Sequence, residues 1–263
     1  MEGMELKTSE GKRCSEDKNP REGKPFELAL VMPVFNEEAC IFEVIQSWED
    51  ELTRQGIDFQ MIVLNDGSQD GTEAILEKFR NHRTMDIIHK KNSGHGPTIL
   101  KGYRKAVHIA HWVFQTDSDD EMKPDHFIEL WSRRKDFDAL IGIRQDRRQS
   151  ILRRLTTLGS RLAVYLLFGK GVTDVNIPYR LIRASCLEQI IKQIPNNTFS
   201  PNILISGALS KSSLRIYNHR IPCEGRKTGS PSVMRWKLMK VILISFWQTL
   251  WFRLALKRRE FPC

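Results

Sequence analysis

The chain has 263 residues, 40% of them hydrophobic and 28% charged, with a formal net charge of +9 and a pI near 9.4. This composition excludes a collagen-like, disulfide-dense or wholly disordered chain, and the length allows one large domain or two small ones. The basic balance points to polyanionic partners such as nucleic acid, an anionic membrane surface or phosphorylated substrates, without choosing among them.

Five cysteines at positions 14, 40, 186, 223 and 263 form no CxxC pair. They read as thiols of a reducing compartment and not as a zinc site or disulfide framework. The first 25 residues are rich in Lys, Glu, Ser and Gly, contain no apolar secretory core, and are expected to form a disordered tail. From Phe26 the character changes. FELALVMPVF reads as a buried strand, and NEEACIFEVIQSWEDELTRQ as a helix with apolar residues at Ile41, Val44, Ile45, Trp48 and Leu52 and with Asn36 as its cap. FQMIVLNDGSQDGT is a second strand and polar loop, followed by the helix TEAILEKFRNH. MDIIHKKNSGHGP and TILKGYRKAVHIA repeat the pattern, and HWVFQTDSDD is a fourth strand. Such alternation predicts an α/β fold, a mostly parallel sheet with helices on both faces and a ligand site beyond the carboxyl ends of the strands. DALIGIRQD is expected to be a fifth strand and RRQSILRRLTTLGSRLAVYLLFG a long basic helix. VTDVNIPYRLIRASCLEQIIKQI reads as loop, short strand and helix, and LRIYNHRIPCEGRKTGS as a late strand and loop. The stretch from Ser232 to Phe261 is helical, aromatic and basic.

The polar clusters all fall at strand ends, and the densest is TDSDDE. Asp117 and Asp119 flank one residue, and positions i and i+2 of an extended segment point to the same side. Two carboxylates so placed repel unless a cation lies between them. Hard oxygen donors suit Mg²⁺ or Mn²⁺, which commonly bridge to a substrate diphosphate. The competing reading is a solvated helix start, with Asp119 or Asp120 capping a helix near Pro124. An EF-hand is excluded because Ile128 occupies the twelfth loop position and no Gly the sixth. Asp66 ends a strand where a carboxylate can accept from the ring N–H of uracil or guanine, whereas Asp70 reads as a loop or cap residue. Gly94 and Gly96 allow backbone to approach a ligand closely, but no Walker loop or GxGxxG is present.

Taken in order, PVFNEE, NDGSQDGT, NSGHG with Lys101 and Gly102, and TDSDD with Pro124 resemble the family 2 glycosyltransferases of the nucleotide-sugar-binding GT-A fold, from about Leu30 to Gly229. GIRQD, the arginine-rich helix with Ser160, and VTDVNIPYRLIR look most like the polyprenyl-phosphate sugar transferases of the dolichyl-phosphate mannose synthase and undecaprenyl-phosphate glucosyltransferase type. The resemblance implies a donor pocket of Pro33, Phe35, Asn36, Glu37, Leu64, Asp66, Gly94, Lys101, Asp117 and Ser118. It implies Asp117, Asp119 and Glu121 around Mg²⁺ or Mn²⁺, with Glu121 where the family often has Gln. Arg226, with Gly229 and Ser230, would cover the donor phosphates. Arg144, Arg154 and Ser160 would take the acceptor phosphate, and Asp174 would act as base for a hydroxyl acceptor. Pro178 stands where the family's stretch through Val172, Asp174, Tyr179, Arg180 and Arg183 usually has Gly.

The reading that follows is a metal-dependent, inverting transferase using a UDP- or GDP-sugar and a polyprenyl phosphate at the cytoplasmic membrane face. The same fold acting on a hydroxyl is the first alternative and a non-catalytic basic module the second. No RRM, helix-turn-helix or zinc pattern supports nucleic acid, and three aspartates would repel it. The catalytic domain is expected over 26–232. Residues 233–263, with Trp236, Trp247 and Trp251, are expected to form an amphipathic helix lying in the membrane interface, since the charge-free run Val241–Phe252 is too short to span. Homo-oligomerisation or a separate membrane-protein partner is left open.

Overall fold

The structure, a computed structural model, describes residues 23–145, 164–223 and 235–256. Strands β1 (Phe26–Val34), β2 (Phe59–Asn65), β3 (Met85–His89) and β4 (Ala110–Gln115) alternate with helices α1 (Ile41–Arg54), α2 (Thr72–Leu76) and α3 (His95–Ile109). After α4 (Phe127–Ser132) come β5 (Ala139–Gln145), β6 (Arg180–Arg183), α5 (Ala184–Ile191), α6 (Pro201–Lys211), β7 (Ile216–Pro222) and α7 (Arg235–Leu256). The seven strands form one sheet in the order β3-β2-β1-β4-β6-β5-β7. Strands β1 to β4 pair in parallel, as do β5 and β7, while β6 runs antiparallel to both its neighbours. The expected mostly parallel sheet is therefore present. The reversed strand β6, wedged between β4 and β5, was not legible in the strand–helix alternation.

The helices cover both faces of the sheet, and the period of two along β4 establishes it. Trp48 of α1 packs its ring 5.2 Å from that of Phe114, whereas Tyr103 of α3 reaches the next residue, Gln115. Consecutive strand residues point to opposite faces, so α1 and α3 lie on opposite sides. Beneath the acidic loop, Phe114, Phe127, Tyr179 and Trp48 form one aromatic cluster, with the Phe114 ring 4.8 Å from both Phe127 and Tyr179. Helix α3 lies close against the sheet because Gly102 gives it room: a Cβ there would stand 2.4 Å from Val31 Cγ1.

Three local expectations are corrected. Asn36 does not cap α1, which starts at Ile41 after Cys40 with no side-chain cap. Asn36 instead adopts φ +55°, and its amide oxygen accepts from Gln69 N at 2.8 Å, so it joins the β1 and β2 loops. The second helix is shorter than its apolar pattern suggested and continues as a 3₁₀ turn, Glu77–Phe79. Helix α6, not expected from the sequence, is buried almost throughout, so no polar face marks it.

Gly96, in the first turn of α3, meets the chain's own backbone. A Cβ there would lie 2.2 Å from the Phe199 carbonyl oxygen and 2.3 Å from that of Thr198. The loop before α6 therefore roofs the start of α3, where close approach by a ligand had been expected. Gly96→Ala must displace rigid backbone and is expected to destabilise the fold by about 1–3 kcal/mol, read as a lower urea midpoint at unchanged slope.

Candidate active site at the carboxyl ends of the parallel strands

The loops after β1, β2, β3 and β4 meet along one edge of the sheet, and most carboxylates there hold loops in place. Asp66 is 4% exposed. It accepts from Ser93 N and Gly94 N, each at 2.9 Å, and from Lys90 Nζ. Lys90 also donates to Thr98 Oγ1 at 3.0 Å, which ties β3 to α3. Gly94 stands at φ +92°, the conformation that turns its N–H onto Asp66. Asp70 accepts from Thr72 Oγ1 at 2.6 Å and from Glu38 N at 3.3 Å, in keeping with its reading as a loop residue. Burial opposes its ionisation, but the hydrogen bonds from Thr72 and Glu38 outweigh it and hold its pKa below the ordinary 3.8. Asp120, at φ +58°, accepts from Lys123 Nζ with both oxygens, at 2.6 and 2.5 Å, and so braces its own loop instead of capping a helix.

Asp117 and Asp119 differ from these. Both are half-buried, Ser118 between them is buried, and all three lie past the end of β4 at Gln115, in the loop and not on the extended strand that their spacing had assumed. The Ser118 carbonyl accepts from Cys40 Sγ at 3.5 Å, which joins this loop to the start of α1. Asp119 accepts from Glu121 N at 3.2 Å. Asp117 accepts from Gln115 Nε2 at 3.3 Å, and His95 Nε2 lies 3.7 Å from its Oδ1. Behind Asp117 is a buried polar group that the sequence analysis did not single out. Gln115 Oε1 accepts from the Tyr103 hydroxyl and from Asn202 Nδ2, both at 2.9 Å. Burial pushes the Tyr103 phenol far above its ordinary pKa, so it remains a neutral donor. The signal was present as a Gln two residues before Asp117, directly after the apolar run Trp112–Phe114.

Among the described residues no three His, Cys, Asp or Glu side chains converge into a metal cage. The three-carboxylate set with Glu121 is thus not preassembled, and Glu121 is itself buried. Two carboxylates at the mouth of a loop fit a hard divalent cation that takes its remaining oxygens from water and a diphosphate.

The remaining candidates divide. Pro33 and Leu64 face each other in the β1–β2 register and are buried, Phe35 is half-buried, and Glu37 is buried with its N–H donating to Thr72 Oγ1 at 2.9 Å. Lys101 is exposed on α3. Arg180, opposite Gln115 in the register, is fully buried. Its guanidinium donates to the carbonyls of Ile177 at 2.9 and 2.7 Å, Asn202 at 3.2 Å and Val175 at 3.4 Å. Burial lowers its pKa, and the nearby carboxylates of Asp174 and Asp117 oppose that shift. Arg183 lies three residues further along β6, opposite Trp112, and stacks on that ring. It is therefore a structural cation at the far end of the strand. Asp174 is 7% exposed and accepts from Arg144 N at 3.4 Å. Arg144 donates from Nη2 to the Asn176 carbonyl at 3.4 Å, while its Nε is buried with no hydrogen-bond partner among the described residues. Arg154, Ser160 and Arg226 lie outside the described residues.

Two outcomes follow. Gln115→Leu strips Asp117 of a donor and removes the buried acceptor that Tyr103 and Asn202 share. It is expected to cost about 1–3 kcal/mol in urea unfolding and to weaken Mn²⁺ binding measured by calorimetry. Because the folded pKa of Asp70 is depressed, its stabilisation is fully present above 3.8 and is lost as pH falls through the lower folded value. Asp70→Asn should therefore flatten the acid limb of the stability–pH curve and leave the curve's shape near neutrality unchanged.

A model of glycosyl transferase family 2 matches residues 29–192. The undecaprenyl-phosphate 4-deoxy-4-formamido-L-arabinose transferase of Pseudomonas paraeruginosa is 28% identical over 191 residues, covering 70% of this chain and 56% of that protein. The transferase of the same name from Edwardsiella ictaluri is 23% identical over 194 residues, 72% of this chain and 58% of its own length. The chain thus spans little more than half the length of these curated relatives. Among solved structures, glucosyl-3-phosphoglycerate synthase from Mycobacterium tuberculosis with Mn²⁺ and UDP-glucose superposes with a TM-score of 0.63 at 17% identity, over 88% of this chain and 79% of that one. S. aureus TarS 1–349 with UDP-GlcNAc gives 0.55 at 19% identity, over 84% and 66%. These likenesses establish the fold as the GT-A type. The family match covers more than half of the residues and takes in the β1 to β4 loops described above, and on that ground the chain belongs to glycosyl transferase family 2.

Proposed function

We propose that the chain transfers a sugar from a nucleoside-diphosphate sugar to a polyprenyl phosphate, with inversion at the anomeric carbon, at the cytoplasmic face of a membrane. The observation that carries the choice of acceptor is Arg144, whose buried Nε lacks a partner among the described residues at the carboxyl end of β5. A guanidinium with a spare donor suits a phosphate oxygen. Asp174, the candidate base for a hydroxyl acceptor, is buried and directed at the Arg144 backbone. A base must come within hydrogen-bond reach of the proton it takes, whereas a phosphate monoester is already anionic near neutral pH and needs none. The names of the two Pseudomonas and Edwardsiella relatives support the same class of acceptor.

In this reading Asp117 and Asp119 hold a divalent cation, Mn²⁺ or Mg²⁺, which neutralises charge developing on the departing nucleoside diphosphate. Gln115 fixes the Asp117 carboxylate from behind. The β3–α3 loop, held by Asp66 and Lys90, and the β1 loop from Phe35 to Glu37 form the walls on which the nucleotide rests, with Leu64 and Pro33 beneath and Lys101 on the adjoining helix. Arg144 orients the acceptor oxygen for in-line attack, joined by Arg154 and Ser160, and Arg226 covers the donor phosphates.

Purified protein given labelled UDP- or GDP-sugars, Mn²⁺ and undecaprenyl phosphate in detergent should yield label in an acid-labile lipid from one donor. Asp117→Asn and Asp119→Asn should each lower kcat at least about a hundredfold. Arg144→Ala should raise the KM for the lipid phosphate while the KM for the donor stays unchanged. Label passing only to a hydroxyl-bearing acceptor, and lost in Asp174→Asn, would replace this reading.

A further inference from the structure

Over its described side chains, residues 244–255, helix α7 turns its polar side inward. Its described inner face consists of Ser245, Gln248, Thr249 and Phe252. Gln248 accepts from Phe199 N at 3.0 Å, Ser245 Oγ lies 3.4 Å from Ser200 Oγ, and Thr249 is buried. Phe252 packs against Phe168, and Arg253 Nε donates to the Leu167 carbonyl. The opposite side is apolar and open. Ile244 is 44%, Trp247 58%, Trp251 71% and Leu254 56% exposed. At 100° per residue these four fall within about a quarter of the helix circumference. Next to the Leu167 contact, Tyr165 is 50% and Leu166 71% exposed, which extends the apolar surface onto the preceding helical segment.

An ordinary surface helix points its apolar stripe at the core and its polar side at water. The reversal on α7 is that of a helix whose outer medium is itself apolar. No described helix is long and apolar enough to cross a membrane, and the inner face is already bonded to the catalytic body, so only one side is available. Residues 233–263 carry seven Lys and Arg against one Glu, most of the chain's net charge. Two copies meeting through this face would bring those like charges together, whereas an anionic surface would neutralise them. We propose that Ile244, Trp247, Trp251 and Leu254 of α7, with Tyr165 and Leu166, form one docking surface for an anionic lipid bilayer, the aromatic rings lying among the headgroups. The inference deepens the membrane placement in the function proposed above and rests on that reading only for why the surface is needed.

The test is sedimentation of the full chain with phosphatidylcholine vesicles with and without phosphatidylglycerol, all free of polyprenyl phosphate. The wild-type chain should bind the phosphatidylglycerol vesicles with a blue-shifted tryptophan emission, and high salt should weaken binding. Trp247→Ala/Trp251→Ala, and separately Leu166→Ala in the other segment, should lower the partition coefficient, the double variant by about tenfold or more. Both should keep the wild-type urea midpoint, while Phe42→Ala on α1 should bind as wild type. Absence of binding, binding that these variants leave unchanged, or a concentration-dependent dimer lost in the double variant would overturn the proposal. Transfer to a short-chain, water-soluble polyprenyl phosphate without vesicle binding would sink the docking surface and leave the transfer reading standing. Vesicle binding without transfer from any nucleotide sugar would do the reverse.

Discussion

The buried guanidinium of Arg180 is the constraint around which the carboxyl-end half of the fold is arranged. A charge taken wholly out of water is tolerated only if its donors find acceptors, because an unpaired one costs several kcal/mol. Here the acceptors are mostly main-chain carbonyls, from Val175 and Ile177 in the loop before β6 and from Asn202 in α6. Satisfying them ties that loop and α6 to β6, the strand that runs antiparallel beside β4. The side chain of Asn202, whose carbonyl Arg180 holds, in turn reaches Gln115, and Gln115 reaches Asp117. The Asp117 carboxylate is thus linked to a buried guanidinium through Asn202 and Gln115.

The second organising element is a division of labour among acids. Asp66, Asp70 and Asp120 are committed to N–H, hydroxyl and ammonium donors and act as fasteners of loops. Asp117 and Asp119 stand half-buried beside them, with Gln115 and His95 near the first and Glu121 N donating to the second. Carboxylates in one cluster raise each other's energy. Binding Asp66, Asp70 and Asp120 to local donors offsets that repulsion within the cluster.

Much of this was legible in the sequence, and the reasons are local. Short apolar runs ending in NDG, NSG and TDSDD announce buried parallel strands with polar exits, because strand burial and loop chemistry depend on neighbours in the chain. The placing of Asp117 and Asp119 in a polar exit after β4 was readable for the same reason. Contacts made at long range were not. Gln115, Tyr103 and Asn202 converge from β4, α3 and α6. Nothing in the local pattern of any one of them reveals the other two. The carbonyls of Val175, Ile177 and Asn202 likewise meet Arg180 from separate segments. Gly96 was read as room for a ligand when it is room for the carbonyls of Thr198 and Phe199. Glycine signals close approach without saying what approaches. For α7 the aromatic and basic composition was visible, but only the packing of Ser245, Gln248 and Thr249 revealed which side faces in.

The tether between α7 and the loop Asn197–Ser200 has a kinetic consequence. That loop rests on the first turn of α3, whose His95 lies beside Asp117. A helix held flat on a bilayer through such a tether would keep the reaction centre at a fixed height and tilt above the lipid plane. Its encounter with a lipid acceptor would become a search in two dimensions, with collision frequency scaling with the surface density of acceptor and not with its concentration in the bulk.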